Sequence, residues 1–148
     1  ENVIWLEDGI EGDDTDGHVD DITRFVNEDT VITVVEENKN NYNHAPLKEN
    51  LNILSKARLE NGKQLNIVEL IMPETVIWED QRLPASYANF YISNEAVIVP
   101  VYNCINDNKA IYTLEECFKD KKVIGINSLD IIWGLGSFHC LSQQEPQL

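Results

Sequence analysis

Short apolar runs alternate with polar turns along most of this chain. Their β-branched content predicts buried strands at 19–26, 31–35, 65–71, 87–93, 96–101 and 123–126. Two other stretches carry apolar residues at helical spacing, and they predict helices that run from Pro46 until Gly62 and over 110–118. The resulting order, strand–strand–helix–strand, occurs twice, and a third unit is expected to begin at Phe138. The pattern therefore predicts an α/β fold with an internal repeat.

Composition narrows the classes of function. The chain has 148 residues, the length of one domain, and a formal net charge of −15 from 26 acidic and 11 basic residues. Nucleic acid is an unsuitable partner because phosphate binding needs clustered Lys and Arg. An acidic field instead favours a cationic small molecule or peptide. No apolar run approaches the roughly 18 residues that a membrane span requires, so no membrane partner is predicted.

Cysteine usage and the first residues give two further expectations. The odd set Cys104, Cys117 and Cys140 has no CxxC spacing, which argues against a disulfide framework or a zinc site and favours a cytoplasmic location. The chain opens on the apolar, strand-like run Val3–Leu6 without a leader. We interpret this opening as a cut from a longer protein.

The segment Gly136-Ser137-Phe138-His139-Cys140 combines a thiol with an imidazole and flexible backbone. Glycine permits close approach to a ligand, and the thiolate is the nucleophilic form of cysteine. We therefore take Cys140 as the candidate nucleophile. The alternative is a small buried apolar cysteine, which is our interpretation of Cys104 and Cys117.

The segment Gly12-Asp13-Asp14-Thr15-Asp16-Gly17-His18-Val19-Asp20-Asp21 surrounds one histidine with carboxylates. His18 is the candidate proton carrier. On an extended strand Asp20 would face the same side as His18, where it could orient the imidazole or bind a cation. Asp21 would face the opposite side and is expected to be structural.

The same segment is also a candidate metal site. Its oxygen and nitrogen donors are Asp13, Asp14, Asp16, His18 and Asp20. The calcium-loop spacing fails, because counting from Gly17 puts the first ligand position on Gly12 and the last on Thr23. We therefore favour proton transfer over metal binding.

The repeat brings the two segments into one hypothesis. His18 precedes the first predicted strand of unit one, and Cys140 lies at the first predicted strand of the incomplete third unit. If the units surround an axis, equivalent positions converge near it, and 87–89 occupies the matching position of the middle unit. We expect Cys140 and His18 to face one another across a common cleft.

Three blocks of sequence resemble agmatine deiminases. The first is Gly9-Ile-Glu-Gly-Asp-Asp-Thr-Asp-Gly-His-Val-Asp-Asp21, and the second is Arg82-Leu-Pro-Ala-Ser-Tyr-Ala-Asn-Phe-Tyr-Ile92. The third is Trp133-Gly-Leu-Gly-Ser-Phe-His-Cys-Leu141. They occur in the family's order and span almost the whole chain. The wider group is the bacterial-type peptidyl-arginine deiminase family of the guanidine-modifying superfamily. The resemblance implies an α/β fold that is part of a five-bladed propeller (pentein) of strand–strand–helix–strand units.

The resemblance also implies a reaction. Agmatine would be hydrolysed to N-carbamoylputrescine and ammonia through a covalent thiouronium, as a step of polyamine biosynthesis toward putrescine, without metal or cofactor. By motif position Cys140 is similar to the nucleophile, His18 to the general acid/base and Asp20 to a guanidinium-binding carboxylate. Asp14 and Gly136 are further candidates for substrate contact. Family members are much longer, so 1–148 is expected to be the C-terminal portion of one catalytic domain, with another guanidinium-binding aspartate in an absent N-terminal half.

Two alternatives remain open. One is deimination of peptidyl-arginine. Two observations weigh against it: the absent leader, and an acidic character that suits a small-molecule substrate. The other is a truncated, non-catalytic remnant that acts as an interaction module, because an incomplete propeller exposes unpaired strand edges. Self-association into a homo-oligomer is compatible with each of these readings.

Overall fold

The computed structural model describes residues 3–14 and 17–145, which form an α/β fold with small, open sheets. In the first sheet, strand β1 (Thr23–Phe25) is antiparallel to β2 (Thr30–Val35). Helix α1 (His44–Lys56) then returns the chain so that β3 (Asn66–Ile71) pairs with β2 in parallel. This unit has the predicted order of elements.

A short hairpin separates the two units. Strands β4 (Ile77–Trp78) and β5 (Gln81–Arg82) pair around Glu79 and Asp80, whose φ angles are 46° and 64°. The Trp78 indole lies against that of Trp133, with ring centroids 4.1 Å apart, and both side chains are partly exposed. The sequence predicted a connection here without strands, because two-residue strands are too short to produce an alternating pattern.

The second unit repeats the order of the first. Strand β6 (Tyr91–Ile92) is antiparallel to β7 (Ala96–Val101), and helix α2 (Asp107–Cys117) leads to β8 (Lys122–Asn127), parallel to β7. The predicted strand–strand–helix–strand repeat is therefore confirmed for both units. One continuous core joins them, because Ile32, Val34 and Leu70 belong to the same buried cluster as Phe90, Val97, Val99 and Leu114.

Two of the predicted strands were too long. Residues Val19–Asp21 form a 3-10 helix, and β1 begins only at Thr23. Between residues 84 and 90 the chain is buried but forms neither strand nor helix. Hydrogen bonds from side chains replace those of a sheet for part of this backbone. The Ser86 N–H donates to the Tyr102 hydroxyl, and the same hydroxyl donates to the Ser86 carbonyl, both at 3.2 Å. Apolar composition alone could not reveal this arrangement.

The strand predicted at Phe138 was wrong. After β8 the described chain forms a 3-10 helix (Ile132–Gly134) and then turns through 138–141, with no further strand before residue 145. The run Val3–Leu6 is likewise an exposed segment without strand pairing in the described part of the chain. Cys140 therefore lies in a loop.

Apolar surface remains exposed on each unit. A groove of about 480 Å3 lies over the first unit, and its lining includes Leu6, Val19, Phe25, Val31, Leu54 and Leu65 together with Asp20 and His139. On the second unit, Ile124 and Ile126 of the edge strand β8 are 41% and 43% exposed. The helices of the described residues are too short and too polar to cross a membrane.

Candidate active site

The loop that carries Cys140 is anchored to one buried side chain. Backbone N–H groups of Ser137, His139 and Cys140 donate to Oδ1 of Asn89 at 3.0, 3.1 and 3.2 Å. Asn89 is 1% exposed and lies in the irregular buried stretch before β6. Because three donors converge on one carbonyl oxygen, the position of the loop depends on this amide.

Gly136 lies in close contact with Cys140 inside this loop. It is buried, and a Cβ at this position would lie 2.6 Å from the Cys140 Cβ and 2.9 Å from Sγ. Both distances are shorter than an ordinary contact between carbon atoms. A side chain of any size at residue 136 would therefore displace the thiol.

The Nδ2 group of Asn89 connects the thiol to two carboxylates. It lies 2.8 Å from Asp21 Oδ1, 3.0 Å from Cys140 Sγ and 3.1 Å from Asp20 Oδ2. The Cys140 thiol in turn donates to Asp20 Oδ2 at 3.3 Å. One buried amide thus joins three segments that are 51 to 120 residues apart in sequence.

Asp20 also pairs with the residue that precedes the cysteine. His139 Nδ1 lies 2.7 Å from Asp20 Oδ2, and the two side chains are 27% and 15% exposed. Burial raises the pKa of Asp20, but the hydrogen bonds from His139 and Cys140 and the charge of His139 outweigh it, so the pKa falls below its ordinary value. Asp20 is therefore an anion that solvent can still reach through the groove.

Asp21 differs from its neighbour because it is almost fully enclosed. It is 2% exposed, and burial together with the adjacent Asp20 charge raises its pKa from the ordinary 3.8 to about 7. A fixed cation lies nearby, since Arg24 Nη1 donates to the Phe90 carbonyl at 2.9 Å and its guanidinium covers the Phe90 ring. The site thus holds one ionised carboxylate and one that is partly protonated near neutral pH.

The Cys140 thiol is kept protonated in this arrangement. Burial raises its pKa, the Asn89 hydrogen bond lowers it, and the Asp21 and Asp20 carboxylates raise it again, so the net pKa lies above its ordinary value. A cation placed beside the sulfur would oppose the two carboxylates and favour the thiolate. The site is therefore suited to a positively charged substrate that activates its own nucleophile.

His18 is placed by the segment that precedes it. Asn43, which precedes α1, and Asn50 within α1 accept hydrogen bonds from the backbone N–H groups of Glu11 and Glu7, each at 2.8 Å. Farther along, Asp13 Oδ2 accepts the His18 backbone N–H, also at 2.8 Å. His18 then precedes the 3-10 helix as an exposed residue.

The expectation that His18 and Asp20 face the same side assumed an extended strand, and that assumption was wrong. Because Val19–Asp21 is a 3-10 helix, the two-residue alternation of a strand does not apply to these side chains. Asp20 joins Cys140, but no hydrogen bond within 3–14 and 17–145 connects the His18 imidazole to the thiol. Asp21, expected to be structural, contacts the site through Asn89. The juxtaposition of His18 and Cys140 stays a prediction.

Among the described residues, the donor atoms of Asp13, Asp14 and His18 do not form a group close enough to share a metal ion. Asp20 lies instead with Asp21 and Cys140, whose donor atoms are within 4.8 Å of one another, a spacing that a metal ion could bridge. The Asn89 Nδ2 group, however, lies within hydrogen-bond distance of all three of these residues and shares its two hydrogens among them. Asp14 is exposed, and Asp16 lies outside the described residues. The atoms that could bind a metal ion therefore already take part in hydrogen bonds.

Two residues of the site were not identified from sequence. Asn89 was located only as part of the matching position of the middle unit, and Arg24 was not considered. The detectable signal for Asn89 is that it is the one amide in a run, Tyr87–Tyr91, whose other residues are aromatic or alanine. A polar side chain in a buried segment needs hydrogen-bond partners, which makes it a candidate for a site.

The α/β repeat thus brings a thiol, an imidazole and carboxylates into one cluster. A family model matches residues 1–146, and the chain belongs to that family, the Porphyromonas-type peptidyl-arginine deiminases. The relatives that it matches are named as deiminases.

A curated relative and two solved structures match nearly all of this chain but less than half of their own length. A curated Enterococcus faecalis protein, provisionally named an agmatine deiminase, is 34% identical over 164 residues, covering 99% of this chain and 45% of its own length. The solved agmatine deiminase of E. faecalis, catalysing its reaction, has a TM-score of 0.92 at 33% identity, covering 99% of this chain and 45% of that chain. A Porphyromonas gingivalis structure, provisionally named an arginine deiminase, gives 0.92 at 37% identity and covers 95% of this chain and 41% of that one. The chain thus spans less than half the length of these relatives.

Proposed function

We propose that this chain is the C-terminal portion of an agmatine deiminase, which hydrolyses agmatine to N-carbamoylputrescine and ammonia in the cytoplasm. The observation that carries the proposal is the convergence of Asp20 and Cys140 on Asn89. It brings an anion and a nucleophilic sulfur within 3.3 Å of each other. A guanidinium bound by that carboxylate has its carbon beside the sulfur. The reaction contributes putrescine precursor to polyamine biosynthesis.

Substrate binding begins with charge. The net charge of −15 attracts a cation, and Asp20 lines a groove open to solvent. An ionised carboxylate binds a guanidinium through paired charge-assisted hydrogen bonds, which hold the planar group in one orientation. Asp14 and Gly136 are further candidates for contact with the substrate. In the relatives' additional length we expect a second carboxylate that binds the other edge of the guanidinium.

The first half-reaction transfers the amidine carbon to sulfur. The bound cation favours loss of the Cys140 proton to solvent, and the thiolate attacks the guanidinium carbon to form a C–S bond. His18 donates a proton to one –NH2 group, the C–N bond breaks, and ammonia leaves. A covalent S-alkylthiouronium on Cys140 remains. General acid catalysis of this kind contributes about 10² to 10⁴ in rate.

The second half-reaction returns the enzyme to its starting state. His18, now neutral, takes a proton from a water molecule that attacks the thiouronium carbon. The C–S bond breaks, sulfur leaves as the thiolate, and the new C–OH group loses its proton to solvent to become the ureido carbonyl. When the product departs, the thiolate takes a proton from solvent and is again the resting thiol. Overall one water is consumed and one ammonia is released for each agmatine. No metal or organic cofactor takes part in these steps.

The proposal includes an architecture. We propose that the two strand–strand–helix–strand units are blades of a five-bladed α/β propeller, and that the part of the relatives beyond this chain supplies the remaining blades. The repeated order of elements and the 45% coverage of the E. faecalis deiminase support this. So do the exposed apolar groove over the first unit and the exposed face of β8, each available to a neighbouring blade.

The experiment that tests the function replaces single cysteines in the complete protein. Cys140→Ser should abolish formation of the ureido product from agmatine, because a serine hydroxyl stays protonated in this site. The matched control is Cys117→Ser on α2, which should retain wild-type turnover. Mass spectrometry of wild-type enzyme quenched during turnover should detect an adduct on Cys140. Normal turnover by Cys140→Ser would contradict the covalent mechanism.

A second candidate substrate is peptidyl-arginine, which the name of the matching family favours. We expect free agmatine to be turned over far better than benzoyl-arginine amide, compared by kcat/KM. Equal or reversed preference would transfer the assignment to peptidyl-arginine deimination.

The third candidate, a non-catalytic interaction module, is favoured by the exposed apolar surfaces of both units. Absence of turnover with every guanidinium compound, in a complete protein whose thiol is intact, would support it.

A further inference from the structure

His139 is held at two points next to the nucleophile. Its backbone N–H donates to Asn89 Oδ1 at 3.1 Å, and its Nδ1 lies 2.7 Å from Asp20 Oδ2. The imidazole is half-buried and lines the groove together with Asp20. The mechanism described above does not use this side chain.

The tautomer of His139 follows from its partner. The Asp20 carboxylate is ionised and can only accept hydrogen bonds, so the proton of the 2.7 Å contact belongs to Nδ1. The Nδ1–H group is committed to this carboxylate at a short distance, so it can hold the carboxylate in one orientation. This histidine is therefore suited to orienting Asp20.

We propose that His139 is a positioning residue, which fixes the orientation of the Asp20 carboxylate so that it meets the substrate guanidinium in one plane beside Cys140. The proposal rests on the proposed function and assigns a role to a residue outside its chemical steps. His18 keeps the proton transfers, and His139 acts on binding through Asp20.

The physical reason lies in the freedom of an aspartate side chain. The terminal torsion of Asp is broad, so an unrestrained carboxylate samples many planes. Paired hydrogen bonds to a guanidinium require the carboxylate and guanidinium planes to coincide. The Asn89 amide and the Cys140 thiol also contact Oδ2, at 3.1 and 3.3 Å, but the amide is shared with Asp21 and the thiol proton leaves during catalysis. The His139 contact, at 2.7 Å, is the shortest of the three.

Two variants of the complete protein separate orientation from proton transfer. His139→Asn keeps an N–H donor at about the position of Nδ1, whereas His139→Phe keeps a ring of similar shape without a donor. We expect His139→Phe to raise the KM for agmatine about tenfold or more, because ground-state and transition-state binding are weakened together. His139→Asn should restore KM to within about threefold of wild type, with kcat little changed.

Either of two kinetic results would overturn the proposal. If both variants lose most of kcat and His139→Asn gives no rescue, the imidazole itself is needed and His139 is a proton carrier. If His139→Phe keeps the wild-type KM, the contact with Asp20 does not contribute to substrate binding. Circular dichroism and thermal melting establish that each variant is folded before it is assayed.

A readout that does not need turnover tests the contact itself. Nitrogen-15 NMR of the imidazole should find His139 protonated at Nδ1 in the wild type, with a shift toward the Nε2-protonated form in Asp20→Ala. An unchanged tautomer in Asp20→Ala would overturn the proposal even for an active enzyme. If the wild type turns over neither agmatine nor another guanidinium compound, the proposed function fails, while the NMR result still decides whether His139 is bound to Asp20.

Discussion

Replacing Gly136 by alanine should misplace the Cys140 thiol, the proposed nucleophile, without changing its chemistry. The new Cβ would lie 2.6 Å from the Cys140 Cβ, whereas carbon atoms in contact are separated by about 3.5 to 4.0 Å. Rotation of the thiol relieves only the 2.9 Å contact with Sγ, so the Cys140 backbone itself must move by about 1 Å. Three hydrogen bonds to Asn89 oppose that movement.

The expected loss follows from this displacement. A misplacement of about 1 Å costs on the order of 10²-fold in rate, so kcat/KM for agmatine should fall about a hundredfold in Gly136→Ala. Gly134→Ala is the matched control, because a Cβ there meets nothing within 4 Å. That variant should stay within about twofold of wild type, since ordinary surface substitutions are nearly neutral.

Two assays check this prediction in the complete protein. Initial rates of ammonia release give kcat/KM, and iodoacetamide labelling followed by mass spectrometry reports the accessibility and reactivity of Cys140. A Gly136→Ala enzyme with wild-type kcat/KM and labelling rate would refute the claim that close packing against Gly136 sets the position of the thiol. An equal loss in Gly134→Ala would refute the distinction between the two glycines.

Two further predictions concern stability and completeness. Because the pKa of Asp21 is raised in the folded state to about 7 from 3.8, the folded protein binds the proton more tightly, so this group's contribution to stability is lost as pH rises between those values. In urea titrations from pH 5 to 7.5, the free energy of unfolding should decline less in Asp21→Asn than in the wild type, by about 1.4 kcal/mol for each pH unit at most. Identical pH slopes for the two proteins would contradict the assignment. Residues 1–148 expressed alone should be inactive on agmatine and should self-associate through the exposed apolar surfaces, as measured by light scattering. Robust activity from a monodisperse preparation would remove the need for additional chain.

Much of the fold was predictable because its pattern is local. Strand β7 was predicted with the bounds that the structure has. Strands β2 and β3 differ by one residue at their starts, and β8 differs by one residue at each end. Each is a run of β-branched residues that ends in turn residues, so sequence neighbours carry the information. The helices begin two to three residues earlier than predicted, and α1 ends at Lys56, well before the predicted stop at Gly62, because capping depends on geometry that spacing does not contain.

The errors share a different origin. The stretch before β6 and the segment around Asp20 are apolar enough to suggest strands, yet their backbones bond to side chains from distant segments, as the Ser86 hydroxyl does to the Asp21 carbonyl at 2.7 Å. Such contacts are non-local and leave no periodic signal. The thiol and Asp20 were identified because their residue types and motif are distinctive, whereas Asn89 acts through its position alone.

The contact between Trp78 and Trp133 has a spectroscopic consequence. Indoles whose centroids are 4.1 Å apart are close enough for their electronic transitions to couple, which produces a paired positive and negative band in circular dichroism. Trp78 belongs to the β4–β5 hairpin, whereas Trp133 belongs to the 3-10 helix that leads into the cysteine loop. The band should therefore weaken whenever that loop separates from the hairpin, and Trp78→Phe should abolish it. The protein thus contains an intrinsic optical signal for movement of the loop that carries Cys140, which can be recorded without any label.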